Sequence, residues 1–141
     1  MGVSNTLPRC VVFDLDGTLV DSGPDLTAAT NHVLALAGRP PVTVEEVRDM
    51  VGLGARKLIE RGLAHTGGGT PEQAESLLRP FLDYYAKNIC VDTKPFPGVE
   101  QALTQLQEAG IAIGICTNKP EALSHALVEI LGWNRFFPVT L

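Results

Sequence analysis

Two short runs of consecutive apolar residues have the pattern of strands that are buried on both faces. They cover residues 11–13 and 111–116, and they lack the polar alternation that is typical of a half-exposed strand. The first run ends at Asp14 and the second ends at Thr117. Residues 136–141 predict the start of a third strand.

Between the first two runs, apolar residues recur at the three- and four-residue spacing of amphipathic helices. Gly38 closes the first predicted helix, and another helix is predicted over residues 55–63. Thr43 and Thr70 each precede a helical pattern and are predicted N-caps, because Glu or Gln follows three residues later. We therefore expect residues 21–94 to form a small helical bundle.

The remaining residues indicate an α/β core into which this bundle is inserted. Residues 94–98 are rich in proline and predict a linker, and helices are predicted from Val99 and from Pro120. The order strand, helix, strand is typical of a Rossmann-like parallel sheet, here built from residues 1–20 and 95–141. Because such sheets average roughly 5–6 strands, we expect this core to be incomplete and the chain to be part of a longer protein.

Composition excludes several classes of partner. The formal net charge is −5 and 45% of residues are apolar, which argues against nucleic acid or an anionic membrane surface as the main partner. No apolar run approaches the ~18 residues of a membrane span, and the chain start lacks a signal-peptide pattern. Cys10, Cys90 and Cys116 are widely spaced, so we expect reduced, structural thiols in a cytoplasmic protein.

Asp14 and Asp16 are the strongest candidates for chemistry. They follow a strand directly, and residues two apart in an extended chain face the same side. Two carboxylates this close favour Mg²⁺, which accepts one or two carboxylates together with water and phosphate oxygens. Asp14 would serve as a nucleophile and Asp16 as a general acid and base, while Gly17 permits close approach of a phosphate. An ordinary solvated turn at a strand end is the alternative.

The context of these residues resembles the haloacid dehalogenase superfamily of phosphatases, and most closely its phosphoglycolate phosphatase-like branch. Residues 14–22, Asp-Leu-Asp-Gly-Thr-Leu-Val-Asp-Ser, match the first motif of that family, and Thr117 matches the second. The resemblance implies that Asp14 is the nucleophile and that Asp16 is the acid/base. It also implies that Mg²⁺ is held by Asp14 and the Asp16 carbonyl. The helical insert resembles the C1-type cap of the family.

The resemblance also implies which residues bind the phosphoryl group and which residues are missing. The phosphate contacts would be made by Gly17, Thr18, Thr117, Asn118 and Lys119. For Lys119, a solvated loop lysine is an equal alternative. The family's third-motif Lys and fourth-motif acidic ligands would lie beyond residue 141, so we expect the 141-residue chain alone not to turn over substrate.

Substrate choice is predicted to depend on the helical segment. Gly52, Gly54 and Arg56 combine glycines, a helix start and a cation, which suits an anion. The resemblance implies that this segment faces the substrate and would hold its carboxylate. An ordinary helix start with a solvated arginine is the alternative. The resemblance implies a Mg²⁺-dependent phosphatase acting on a small phosphorylated metabolite, most likely 2-phosphoglycolate. Two alternatives stay open: a phosphosugar phosphatase or phosphomutase, and a non-catalytic remnant or interaction module that self-associates through exposed sheet edges.

Overall fold

The computed structural model describes residues 7–137, which form short strands and six helices. The strands are β1 (Cys10–Phe13), β2 (Val20–Asp21), β3 (Lys94–Pro95) and β4 (Ala112–Ile115). The helices are α1 (Gly23–Leu36), α2 (Val44–Arg48), α3 (Ala55–His65), α4 (Pro71–Lys87), α5 (Val99–Glu108) and α6 (Glu121–Ile130). The predicted helices and the first two predicted strands are therefore confirmed.

The predicted third strand lies largely outside the described residues, since only Phe136 and Phe137 of that segment are described. Both belong to a turn that follows α6, and both are buried. The amide of Phe137 donates to the carbonyl of Trp133, which keeps this part of the chain in a turn.

Strands β1 and β4 pair in parallel, which is the arrangement that the strand–helix–strand order predicts. Cys10 lies opposite Ala112, and Phe13 lies opposite Ile115. Because the strands run in the same direction, the residues after Phe13 and after Ile115 emerge at the same edge.

Burial of the two strands on both faces was a wrong prediction for the residues that the structure describes. Cys10 and Ala112 are exposed, and Val12 retains 54% of its accessible surface. Helix α5 packs on β4, and the inward side chains Phe13 and Ile113 are partly covered. Within residues 7–137 this sheet has two strands, and Val12, on the face opposite Phe13, stays accessible.

Helices α1, α3 and α4 pack on one another, and α2 packs on α1. Their facing side chains are fully buried and include Val33, Ile59 and Phe81. The hydroxyls of Thr43 and Thr70 accept hydrogen bonds from the amides three residues later, at 3.2 and 3.1 Å, so both predicted N-caps are confirmed. No helix within residues 7–137 has the length and apolar character needed to cross a bilayer.

The predicted linker at residues 94–98 begins with a strand. Lys94–Pro95 pairs antiparallel with Val20–Asp21, and the amide of Phe96 donates to the Leu19 carbonyl over 3.1 Å. This two-stranded ribbon pairs the segment that leads into α1 with the segment that follows α4. A prediction from local pattern missed it because the paired residues are far apart in sequence.

Candidate active site

Asp14 and Asp16 occupy the turn that follows β1. Asp14 is exposed, and its Oδ1 atom accepts a hydrogen bond of 2.8 Å from the amide of Leu15. The Asp16 side chain is 11% exposed, and its Oδ1 atom accepts a hydrogen bond of 2.7 Å from the Ser22 hydroxyl. Gly17 has a φ of 80°, a conformation that strains residues with a Cβ, so the turn after Asp16 favours glycine. The two acids therefore differ sharply in access to solvent.

The loop after β4 brings a cation to Asp16. Thr117 accepts a hydrogen bond of 3.1 Å at its hydroxyl from the amide of Lys119, which turns the chain back toward the sheet. The Nζ atom of Lys119 lies 3.2 Å from Oδ1 of Asp16, and only 3% of the Lys119 side chain is exposed. The alternative that Lys119 is a solvated loop lysine is therefore wrong.

Tyr85 of α4 also belongs to this cluster, although the sequence pattern assigns it to an apolar stripe. Its hydroxyl forms a short hydrogen bond with Nζ of Lys119, and that Nζ lies 4.3 Å from the centre of the Tyr85 ring. Tyr85 is 2% exposed. Tyr85 follows Phe81 at helical spacing on the apolar face of α4, and a buried tyrosine hydroxyl normally has a hydrogen-bond partner. A tyrosine on that face was therefore the sequence feature that could have predicted a polar contact here.

Burial and neighbouring charges change the pKa values of this pair. Burial lowers the pKa of Lys119, and the carboxylate of Asp16 acts in the opposite direction. Burial raises the pKa of Tyr85, and the charges of Asp16 and Asp25 add to that effect. The tyrosine hydroxyl therefore stays protonated at neutral pH.

These groups line a small pocket between the sheet edge and the helices. The pocket has a volume of ≈ 40 Å³, which is room for a few waters. Its wall includes Met50, Val51, Ala55, Leu58, Phe81, Leu82 and Leu123, which are apolar. Its polar end contains Asp16, Tyr85, Thr117, Asn118 and Lys119. Among the residues that line this pocket, Lys119 is the one with a cationic side chain.

The predicted site residues fall into two groups. Gly52, Gly54, Thr117, Asn118, Lys119 and Asp16 come together around the pocket. The Asn118 side-chain amide donates to the Gly52 carbonyl over 2.8 Å and so joins the loop after β4 to the loop before α3. Asp14, Gly17 and Thr18 are exposed and lie outside the lining. Arg56 also lies outside it, and its guanidinium pairs with Glu60 and Glu75.

The donor set suits a hard divalent cation held by few protein ligands. Among the residues that the structure describes, no cluster of three or more His, Cys, Asp and Glu side chains has metal-ligand geometry. Asp14 provides an accessible carboxylate, whereas Oδ1 of Asp16 is already engaged by Ser22 and Lys119. Mg²⁺ accepts a single carboxylate when backbone, water and phosphate oxygens complete its shell, so the chemistry of these residues fits Mg²⁺.

A parallel sheet with an acidic turn at its carboxyl edge and helices packed over that edge defines an α/β protein with a pocket at the strand ends. The family model for haloacid dehalogenase-like hydrolases matches residues 8–141. The chain therefore belongs to the haloacid dehalogenase-like hydrolase family.

Curated relatives and solved structures agree with this assignment. The chain is 45% identical over 132 residues to the phosphoglycolate phosphatase of Caulobacter vibrioides, covering 93% of this chain and 56% of that protein. It is 45% identical over 135 residues to phosphoglycolate phosphatase 1 of Pseudomonas aeruginosa, covering 93% and 49% respectively. The crystal structure of a "predicted phosphoglycolate phosphatase" from Haemophilus somnus superposes with a TM-score of 0.87 at 29% identity, covering 98% of this chain and 64% of that one. The chain thus spans about half the length of the curated relatives that it matches.

Proposed function

We propose that the chain carries the nucleophile and the proton-transfer group of a Mg²⁺-dependent phosphomonoester hydrolase whose substrate is 2-phosphoglycolate. The observation that carries this proposal is the meeting of Asp16, Thr117 and Lys119 in one pocket, where β1 and β4 end side by side. The phosphoglycolate phosphatases at 45% identity support the choice of substrate.

The first half of the proposed reaction transfers the phosphoryl group to the protein. A carboxylate oxygen of Asp14 attacks phosphorus, and the bond from phosphorus to the ester oxygen breaks. Asp16 gives its proton to the departing alkoxide, a step typically worth about 10²–10⁴-fold in rate. The product is an acyl phosphate on Asp14 and a free glycolate. The exposed position of Asp14 supports its role, since the nucleophile must reach the phosphorus atom.

The second half removes the phosphoryl group from Asp14. Asp16, now ionised, takes a proton from a water molecule that attacks the acyl phosphate, and inorganic phosphate leaves. Thr117 and the neighbouring Asn118 and Lys119 belong to the proposed phosphate contacts, together with Gly17 and Thr18. Mg²⁺ would be held by the Asp14 carboxylate and the Asp16 carbonyl. When bound, it supplies positive charge that offsets the charge of the phosphoryl oxygens.

Helices α1 to α4 are proposed to act as a cap over this site. Residues 21–94 would form the cap, and residues 1–20 and 95–141 would form the core. The Asn118–Gly52 hydrogen bond supports this division, because it joins the two parts directly over the pocket. The ribbon of β2 and β3 supports it as well, because both connections lie side by side.

The carboxylate of the substrate is proposed to meet the loop of Gly52 and Gly54, both of which line the pocket. The role predicted for Arg56 stays a prediction, because this side chain must first leave Glu60 and Glu75. The KM of Arg56→Ala for 2-phosphoglycolate, measured in a complete protein that contains this chain, decides the matter. A rise in KM supports the contact, and an unchanged KM removes Arg56 from the site.

The proposal is tested by following phosphate release and glycolate release separately, with and without Mg²⁺. The substrates are 2-phosphoglycolate, a hexose phosphate of similar charge, and p-nitrophenyl phosphate. We expect Mg²⁺-dependent release of the alcohol product, with glycolate released from 2-phosphoglycolate faster than the hexose is released from the hexose phosphate. A preference for the hexose phosphate would favour a phosphosugar phosphatase, and no glycolate release with bound Mg²⁺ would contradict the proposed reaction.

A further inference from the structure

We propose that Tyr85 is a positioning residue that fixes the acid/base carboxylate of Asp16 through Lys119. The inference rests on the proposed function, because it concerns the proton that Asp16 gives to the leaving alkoxide. Tyr85 itself touches neither the substrate phosphorus nor Asp14 in this scheme.

The two oxygens of Asp16 have different partners. Ser22 and Lys119 both approach Oδ1, at 2.7 and 3.2 Å. Two donors on one oxygen hold the carboxylate in a single orientation and leave Oδ2 as the oxygen that carries the transferable proton. Proton transfer depends on a reach of roughly 2.6–3.2 Å, so the orientation of this carboxylate matters.

Lys119 has a second neighbour besides Asp16, the hydroxyl of Tyr85. A lysine side chain has four rotatable bonds, and its ammonium group would sample several positions if Asp16 were its sole neighbour. Tyr85 limits that freedom through the hydrogen bond between its hydroxyl and Nζ, which lies 4.3 Å from the ring centre. Lys119 is therefore held between a carboxylate of the core and a phenol of α4.

Tyr85 is itself held by packing within the helices. The ring is 2% exposed and packs against Phe81, one turn earlier on α4, at a centroid distance of 6.0 Å. Phenylalanine at position 85 keeps this packing and the ring face, and it removes the hydroxyl. Tyr85→Phe therefore isolates the hydrogen bond to Lys119 from the packing of the helix.

The test compares two leaving groups in single-turnover phosphorylation of the chain. The alkoxide of 2-phosphoglycolate needs a proton from Asp16, whereas the p-nitrophenolate of p-nitrophenyl phosphate is stable without one. For Tyr85→Phe we expect the ratio of the 2-phosphoglycolate rate to the p-nitrophenyl phosphate rate to fall by about 10-fold, because any change in the phosphate contact of Lys119 lowers both rates alike and cancels in the ratio. Tyr84→Phe is the matched control, because Tyr84 lies outside the pocket and stacks on His32.

Equal losses with both substrates, or no loss with either, would overturn the inference. If the unmodified chain transfers phosphate from neither substrate, the proposed function fails, and a second measurement decides the position of Lys119. The rate of reductive methylation of Lys119, read by mass spectrometry against exposed Lys94, is expected to rise about 10-fold in Tyr85→Phe and to stay unchanged in Tyr84→Phe. An unchanged rate in Tyr85→Phe would show that Tyr85 does not hold Lys119.

Discussion

The carboxylate of Asp25 accepts hydrogen bonds from both the amide and the hydroxyl of Thr93, at 2.9 and 2.6 Å. The amides of Val91 and Asp92 also donate to Asp25, at 3.0 Å. Asp25 lies in the first turn of α1 and is 3% exposed. It therefore ties the start of the helical segment to the residues that lead out of it, next to the ribbon of β2 and β3.

This relationship predicts a large effect of Asp25 on stability. Asp25→Ala leaves several donors without an acceptor in a buried place, so we expect the free energy of unfolding to fall by about 3 kcal/mol or more. Urea unfolding measures the change, and Asp92→Ala serves as control because the Asp92 side chain is exposed. A loss within about 0.5 kcal/mol of the control would contradict the anchoring role of Asp25.

The ion pair of Asp21 and Arg48 predicts a pH dependence of stability. The hydrogen bond from Arg48 holds the pKa of Asp21 below its ordinary value of 3.8. A depressed carboxyl pKa stabilises the folded state at pH values above 3.8. This stabilisation is lost as the pH falls through the lower, folded-state pKa.

The measurement is the difference in unfolding free energy between the unmodified chain and Asp21→Asn, taken at about pH 6 and at about pH 2.5. We expect the unmodified chain to be the more stable at the higher pH and the difference to shrink at the lower pH. Asp92→Asn is the control and is expected to show no such convergence. A difference that grows on acidification would contradict the assignment.

Asn118 predicts a local change in dynamics. Its amide donates to the Gly52 carbonyl over 2.8 Å, and both residues are at the surface of the pocket. Asn118→Ala removes this bridge, so amide hydrogen exchange in the loop of residues 50–54 is expected to rise by about 5-fold or more while exchange in α4 stays unchanged. Asn134→Ala, at an exposed position after α6, is the control. Equal exchange in the two variants would show that the bridge does not order this loop.

Local signals in the sequence predicted most of the fold. Thr43 and Thr70 cap their helices through residues three positions later, and Gly38 has the positive φ that ends α1. These three helix boundaries are therefore encoded by neighbouring residues. The ribbon of Val20 with Pro95 was missed because pairing between distant strands leaves no local trace. The prediction that β1 is buried on both faces was wrong. A purely apolar run predicts neighbours on both faces of the strand, whereas the residues that the structure describes cover one face.

In the candidate site, too, local sequence signals predicted some residues, whereas the contacts that depend on tertiary packing were missed. Asp14, Asp16 and Thr117 follow apolar strands directly, so sequence order places them at one edge of the sheet. The contact between Lys119 and Tyr85 joins residues 34 positions apart and depends on how α4 packs over that edge. Helical periodicity predicts which face of α4 is buried, and it does not predict which buried residue meets the sheet edge.

The proposed function requires that Asp14 accepts the phosphoryl group. The chain is mixed with 2-phosphoglycolate and Mg²⁺, quenched in acid and treated with borohydride, which converts an aspartyl phosphate into homoserine that mass spectrometry can locate. We expect the conversion at position 14, none in Asp14→Asn, and accumulation in Asp16→Asn when p-nitrophenyl phosphate is the donor, because the base for the second half is then missing. Conversion at another residue, or release of glycolate by Asp14→Asn at the rate of the unmodified chain, would contradict the claim.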